Sequence, residues 1–141
     1  AGEALAFPTN GSVNLHQRGH AIEFRVNAED PDRNFIPGPG KITTFHPPGG
    51  PGIRIDTHVY AGYNVPPYYD SLLAKLIVSG ATREEAILRA RHSLDQFIIE
   101  GIPTTLPLLR RILEDDAFLE GDIDTSFVAR MLGETDSRIE A

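Results

Sequence analysis

At residues 20–30 the chain reads HAIEFRVNAED, and this stretch decides the fold. Apolar residues occupy every second position, and charged or polar residues fill the positions between them. In an extended strand alternate side chains point to opposite faces, so the pattern predicts a strand with one buried face and one solvated face. The predicted buried set is Ile22, Phe24, Val26 and Ala28, and the solvated set is Glu23, Arg25, Asn27 and Glu29.

Arg25 stands at the centre of the polar face, with Glu23 and Asn27 each about 6.6 Å away along the strand. A guanidinium keeps its proton, and a carboxylate beside it orients its fork of donors toward a planar anion or an oxygen that gains negative charge. An ordinary salt bridge on a solvated face explains the same pattern. The residues alone leave both interpretations open.

The composition limits the classes of function. A length of 141 residues fits one domain. The net charge of −7 and the lack of a basic patch argue against nucleic acid and anionic membranes as partners. The chain has no cysteine, so disulfides and thiolate zinc sites are excluded and a reducing compartment is compatible. No apolar run approaches the roughly 20 residues of a membrane span, and no signal peptide is visible.

Further strands are predicted at 42–45, 53–60 and 72–78, where apolar and β-branched residues cluster. Between the last two, residues 61–71 form a loop with two prolines, three tyrosines and Asp70. Because proline stiffens a loop, this segment is suited to hold the Asp70 carboxylate against Arg25.

The second half of the chain is predicted to be helical. Thr82 and Glu85 form a capping box, and a helix facing the core with Ile87, Ala90, Leu94 and Phe97 follows until about Ile98–Ile99. Later helices are predicted after Thr104–Thr105, at 115–119, and at 126–132 after Asp124–Thr125. The second of these four helices is expected to turn Leu106, Leu109, Ile112 and Leu113 inward.

The predicted class is therefore α+β, with an antiparallel sheet in the N-terminal half followed by about three packed helices. Residues 1–17 are expected to be an irregular lead-in from an upstream domain. Residues 18–133 form the domain, and residues 134–141 form a polar tail.

The residues show no complete catalytic set. None of the five histidines has the spacing of a metal site, so no metal is predicted. The chain also lacks a nucleophile elbow and any cysteine nucleophile. Either the chain is a binding or structural module, or it contributes one part of a larger active site.

Residues 18–31, RGHAIEFRVNAEDP, resemble the R-G-H-A-[VI]-E-x-R-[VI]-N-A-E-D-P motif of biotin carboxylases. Three further stretches agree in the same order, at 39–42, 60–71 and 75–77. The resemblance covers about residues 1–133 and is closest to the C-terminal domain of the biotin carboxylase subunit of bacterial acetyl-CoA carboxylase.

The resemblance implies a cytoplasmic ligase of fatty acid biosynthesis that uses ATP and bicarbonate to carboxylate biotin on a carrier protein. It implies that Arg25 is catalytic, contacting bicarbonate and the ureido oxygen of biotin and stabilising the biotin enolate. The supporting residues would be Glu23, Asn27 and Asp70. Thr125 would lie near the adenine end of the nucleotide pocket, and Arg54 would lie at a subunit interface.

The implied cofactors of the full enzyme are biotin, ATP and Mg²⁺, with none expected on this chain alone. The implied partners are an upstream ATP-grasp domain of the same chain, a biotin carboxyl carrier, a carboxyltransferase and a second copy in a homodimer. Because the ATP-binding parts would lie upstream, these 141 residues are expected to be inactive alone. Two alternatives remain: a structural or dimerisation module in which Arg25 braces the sheet, and an unrelated small-molecule-binding β domain, which would enclose a deep pocket.

Overall fold

The computed structural model describes residues 18–68 and 70–133, which form an α+β fold. The predicted lead-in 1–17, the predicted tail 134–141 and Tyr69 lie outside the described residues. The strands are β1 His20–Asn27, β2 Glu29–Asp30, β3 Ile36–Pro37, β4 Gly40–Lys41, β5 Thr44–His46, β6 Ile53–Thr57, β7 Asn64–Val65, β8 Leu72–Gly80 and β9 Ile98–Glu100. A short 3-10 turn covers Pro31–Arg33, and the helices are α1 Arg83–Gln96, α2 Leu106–Ile112, α3 Asp116–Glu120 and α4 Phe127–Met131.

The central sheet has three antiparallel strands in the order β1-β8-β6. Lys75 of β8 is paired with Arg25 on one side and with Asp56 on the other, which aligns three charged residues across the sheet. The register of β1 with β8 breaks between Val26 and Asn27. Smaller two-stranded pairings, β2-β3, β4-β7 and β5-β9, accompany this sheet.

One face of the central sheet packs against α1, as the alternating pattern of β1 predicts. Phe24 and Val26 are buried there, and Leu94 of α1 and Phe97, the residue that follows the helix, are both fully buried. Removing such side chains from water is the main source of stability, at about 1.5–3 kcal/mol for each. A second, smaller cluster under the loops contains Ala28, Ile42, Val59, Val65 and Leu73.

The predicted start of α1 is confirmed. The Thr82 hydroxyl accepts the N–H of Glu85 at 3.2 Å. The Glu85 carboxylate in turn accepts the N–H of Ala81 at 2.7 Å and pairs with Arg89 at 2.8 Å. These hydrogen bonds lower the pKa of Glu85 below its ordinary value, and the bond from the Ala81 N–H contributes most.

The prediction that residues 98–99 merely end a helix is wrong. Residues 98–100 form β9, which pairs with β5 through Phe45 and Ile99. Gly101 then turns the chain with φ +99°, and an added Cβ would stand 2.3 Å from the Lys41 carbonyl oxygen. This pairing joins residues more than fifty positions apart, and periodicity within one segment carries no information about it.

Two predicted strand boundaries also differ from the structure. Strand β6 ends at Thr57, whereas the alternation suggested Tyr60. The Thr57 hydroxyl donates to the Leu73 carbonyl at 2.7 Å and accepts the N–H of Val59 at 3.2 Å. This local turn ends the pairing of β6 with β8 at Thr57. The strand predicted at 42–45 is instead β5, Thr44–His46.

The predicted start of α2 after Thr104–Thr105 is confirmed, because Thr105 is the N-cap and the Thr104 hydroxyl accepts the Leu106 N–H at 3.4 Å. The Thr105 hydroxyl makes no capping bond and instead bonds to β1. The predicted cap of α4 at Asp124–Thr125 is displaced by one residue. The N-cap of α4 is Ser126, whose N–H donates to Asp124 at 2.9 Å. Leu106 and Leu113 of the inward set are buried as predicted, and Leu108 is buried in addition.

Among the described residues, no helix has the length and apolar character needed to cross a bilayer.

Candidate functional site

The second face of the central sheet is open and charged. Here we define the outer face as Glu23 and Arg25 of β1, Arg54 and Asp56 of β6, and Lys75 of β8. These side chains alternate with the buried ones along each strand, and their register places them in two neighbouring rows. The outer face thus follows directly from the two-residue period of the sequence.

Arg25 forms an ion pair with Asp70, with 3.9 Å between a guanidinium nitrogen and Oδ2. The two side chains are 52% and 70% exposed. The loop of residues 61–71 therefore places its carboxylate beside Arg25, as its proline content suggested. At 3.9 Å the pair is too long for a hydrogen bond.

The predicted bracing of Arg25 by Glu23 is wrong. Glu23 pairs with Lys75 at 3.8 Å. Glu23 lies directly opposite Ile77, and Lys75 is its diagonal neighbour on β8, so the long lysine side chain reaches the Glu23 carboxylate across the strands. Arg25 and Lys75 are directly opposite and would repel each other, so each forms an ion pair with a different carboxylate, Arg25 with Asp70 and Lys75 with Glu23.

The geometry of Asp70 explains which of its oxygens faces Arg25. Its Oδ1 accepts the N–H of Leu72 at 3.0 Å. This bond fixes the carboxylate on its own backbone and leaves Oδ2 toward the guanidinium. A carboxylate that caps the start of β8 in this way is oriented before any ligand arrives.

The predicted supporting residue Asn27 acts through the backbone. Its N–H donates to the Thr105 hydroxyl at 3.0 Å, and that hydroxyl donates to the Arg25 carbonyl at 3.3 Å. Its side-chain N–H group donates to Glu29 at 3.3 Å. Asn27 Oδ1 is buried and has no hydrogen-bond partner among the described residues, so it does not bond to the Arg25 guanidinium.

Sequence reasoning missed the contact between Glu29 and Ser71. The Ser71 hydroxyl donates to Glu29 Oε1, and the Ala28 N–H donates to the Ser71 carbonyl at 2.7 Å. Glu29 lies on the polar side of the opening stretch, and Ser71 follows Asp70. Only the long-range pairing of β1 with β8 brings Glu29 and Ser71 together. The sequence did show that both are polar and stand next to predicted site residues.

Arg54 differs from Arg25 in how its donors are used. It makes two hydrogen bonds of 2.9 Å to the Asp56 carboxylate. This bidentate contact raises the pKa of Arg54 and lowers the pKa of Asp56. Among residues 18–68 and 70–133, by contrast, no hydrogen-bond acceptor engages the Arg25 guanidinium. Arg25 therefore keeps donors for a ligand on this face, whereas Arg54 presents a neutralised, planar pair.

Thr125 lies exposed in the turn between α3 and α4. The hydrogen bonds of this turn are made by the residues beside Thr125. The Asp124 carboxylate accepts the N–H of Ser126 at 2.9 Å and a guanidinium N–H of Arg130 at 2.8 Å. These contacts lower the pKa of Asp124, and the hydrogen bond from the Ser126 side chain contributes most.

An open groove of about 470 Å³ begins beside Asp70. His58 and Tyr63 line it in an edge-to-face contact with centroids 5.5 Å apart, and Tyr60 packs on Tyr63 at 5.6 Å. The sequence indicated an aromatic and acidic loop here but gave no role to His58. The groove is open to solvent, so it is not the enclosed pocket that an unrelated small-molecule-binding domain would require.

The described part of the chain contains no group of three or more His, Asp or Glu side chains arranged to hold a metal ion. What the outer face offers is one half-exposed guanidinium, oriented beside a carboxylate, next to an aromatic groove. Such an arrangement binds a small anion or stabilises an oxygen that gains negative charge.

The fold and this site define a class: an α+β domain whose antiparallel sheet presents a guanidinium–carboxylate pair on its open face. The family model described as biotin carboxylase C-terminal domain matches residues 23–130. The chain belongs to the biotin carboxylase C-terminal domain family, as the resemblance of its motifs indicated.

Similar proteins agree with this assignment. A biotin carboxylase of Nostoc sp. is 56% identical over 114 residues, covering 81% of this chain and 26% of that protein. A biotin carboxylase of Allochromatium vinosum is 49% identical over 133 residues, covering 94% of this chain and 29% of that protein. The chain thus spans little more than a quarter of the length of these relatives.

Solved structures match the fold as well. The biotin carboxylase domain of a thermophilic 2-oxoglutarate carboxylase bound to bicarbonate gives a TM-score of 0.85 at 39% identity, covering 94% of this chain and 29% of that one. The domain dimer from Hydrogenobacter thermophilus, in complex with MgADP, ADP and bicarbonate, gives 0.80 at 42% identity, covering 83% of this chain and 26% of that one.

Proposed function

We propose that this chain is the C-terminal part of an ATP-dependent biotin carboxylase and supplies Arg25 to an active site completed by other parts of that enzyme. The observation that carries the proposal is the half-exposed Arg25 guanidinium, held beside Asp70 with donors still available. Bicarbonate bound to a solved relative of the same fold supports an anion as its ligand.

The proposed chemistry uses the permanent charge of Arg25. When a biotin ureido nitrogen attacks CO₂ derived from bicarbonate, the ureido oxygen of the deprotonated biotin carries negative charge. A guanidinium donating to that oxygen stabilises the charge, and loss of one such donor costs about 10²–10³ in rate. Asp70 supports this role because its carboxylate keeps the guanidinium in place without neutralising all of its donors.

ATP and Mg²⁺ belong to the proposal only as cofactors of the whole enzyme, because MgADP occupies the similar domain dimer. The described residues offer no carboxylate set that fits Mg²⁺. The step assigned to this chain is therefore orientation of the anion and of biotin. Within the proposal, ATP binding belongs to an upstream ATP-grasp domain, Thr125 lies near the adenine end of its pocket, and the 141 residues alone are inactive.

We further propose that the partners of the enzyme are a biotin carboxyl carrier and a carboxyltransferase, and that it acts in fatty acid biosynthesis in the cytoplasm. A homodimer is included because a similar domain from Hydrogenobacter thermophilus is a dimer. Arg54 is proposed at the subunit interface, since its bidentate pair with Asp56 is exposed and planar. Glu23 joins this surface through Lys75 rather than through Arg25.

The exposed Arg54–Asp56 pair also favours the second candidate, a dimerisation module without a catalytic residue. One experiment separates the two, using Arg25→Ala and Arg54→Ala in the longer carboxylase that carries this domain. Turnover with ATP, bicarbonate and biotin is measured together with molecular mass in solution. Arg25→Ala is expected to lower turnover by about 10²–10³ with unchanged mass and ATP affinity.

Arg54→Ala is expected to weaken the dimer by about tenfold, because it removes a planar charged group from the interface. Full turnover of a folded Arg25→Ala enzyme would refute the catalytic proposal and favour the dimerisation module. A dimer unaffected by Arg54→Ala would remove Arg54 from the interface.

A further inference from the structure

The ion pair of Arg25 with Asp70 is too weak to fix the position of the loop that carries Asp70. Both side chains are more than half exposed, and their closest atoms are 3.9 Å apart. Exposed pairs of this kind contribute only about 0–1 kcal/mol. Some other contact must therefore keep the loop that carries Asp70 against the edge of the sheet.

The neighbouring residue provides this contact. Ser71 is tied to the chain that follows β1 by two bonds, one from its hydroxyl to Glu29 and one from the Ala28 N–H to its carbonyl at 2.7 Å. The hydroxyl bond goes to a carboxylate, which makes it stronger than a bond between neutral groups. Both groups are partly buried, so water competes less than at Asp70 itself.

The same carboxylate is linked to the backbone of Arg25. Glu29 accepts from the Asn27 side chain at 3.3 Å, and the Asn27 N–H reaches the Thr105 hydroxyl that donates to the Arg25 carbonyl. One short polar network thus fixes the backbone under Arg25 and the loop beside Asp70. It crosses the register break between Val26 and Asn27, where the regular pairing of β1 with β8 is interrupted.

We propose that Glu29 and Ser71 are positioning residues: their hydrogen bond clamps the Asp70 loop so that Asp70 stands beside Arg25. They act on carboxylation through Asp70 and Arg25 and do not touch the substrate. The inference rests on the proposed function of Arg25, whereas the clamp itself is a property of this chain alone.

The first measurement tests the clamp without any activity. In the 141-residue chain, Ser71→Ala keeps the backbone carbonyl but removes the hydroxyl. Amide hydrogen exchange of Ala28 and Leu72 is expected to rise about tenfold, the size of one hydrogen bond to a charged group. The matched control is Ser93→Ala, which removes a hydroxyl bonded to the Arg89 carbonyl inside α1 and is expected to leave both amides unchanged.

The second measurement tests the effect of the clamp on the reaction, in the longer carboxylase. Ser71→Ala and Glu29→Ala are each expected to lower kcat/KM for biotin about tenfold, and Glu29→Gln, which keeps an acceptor, by less than about threefold. Because the clamp acts through Asp70, adding Ser71→Ala to Asp70→Asn is expected to cause no further loss. A merely structural role would give an additive loss.

Unchanged exchange of both amides in Ser71→Ala would overturn the clamp, whatever Arg25 does. Faster exchange with normal kcat/KM, in an enzyme that Arg25→Ala inactivates, would overturn the positioning role alone. Full activity of Arg25→Ala would refute the proposed function, and the positioning role would fall with it while the exchange result stood.

Discussion

Thr105→Val tests the link between the helices and the strand that carries Arg25. Thr105 is 6% exposed, and its hydroxyl accepts the Asn27 N–H at 3.0 Å and donates to the Arg25 carbonyl at 3.3 Å. These groups face away from β8, on the edge of β1 that has no partner strand among the described residues. Valine fills the same volume but leaves both backbone groups without this partner.

An unsatisfied buried polar group costs about 1–3 kcal/mol, and these two are only partly buried, so the expected loss is about 2–3 kcal/mol. The assay is urea unfolding of the 141-residue chain followed by far-UV circular dichroism, because the chain has no tryptophan. Thr105→Ser keeps the hydroxyl and loses one methyl group, so its expected cost is about 0.8 kcal/mol. Equal stability of the Val and Ser variants would refute the reasoning.

Three further predictions concern the fold and use the same unfolding assay. Leu94→Ala, at a fully buried position, is expected to cost about 2–5 kcal/mol, whereas the same change at Leu88, 56% exposed on the same helix, costs less than about 0.5 kcal/mol. Gly101→Ala is expected to cost at least about 1 kcal/mol more than Gly121→Ala, because both glycines have positive φ but only at Gly101 would a Cβ meet backbone atoms. The pKa of Glu85 is lowered in the folded chain, so its stabilisation is complete above its ordinary pKa of 4.5 and is lost as pH falls through the lower folded value. The stability advantage over Glu85→Gln should therefore shrink below that pH, and a constant difference down to about pH 3 would contradict the capping role.

The elements that sequence predicted well are those with a strong local period. The alternation of β1 and the capping box of α1 each set their structure within about a dozen residues, and the buried faces follow. The pairing of β5 with β9 was missed because it joins distant segments. Thr105 is the N-cap of α2 as predicted, but its hydroxyl bonds to β1 rather than to the helix end, and that tertiary contact cannot be read from the local sequence.

The site shows the same division. The exposed direction of Arg25 follows from the period of its strand, and the stiff loop suggested Asp70 as its neighbour. The choice of partner for Glu23 depends on register, since Lys75 is brought opposite Arg25 only by the pairing of β1 with β8. The contact between Glu29 and Ser71 spans 42 residues and depends on the same pairing.

The central claim is that the fork of the Arg25 guanidinium, and not merely a positive charge, contacts the oxygen that gains charge during biotin carboxylation. The most direct measurement is the carboxylation rate of Arg25→Lys in the longer enzyme, with Arg33→Lys, an exposed arginine outside the site, as the matched control. Lysine keeps the charge and loses the planar pair of donors, so a loss of at least about tenfold is expected for Arg25→Lys, with the control within about twofold. An Arg25→Lys enzyme that turns over at the rate of the control would contradict the account.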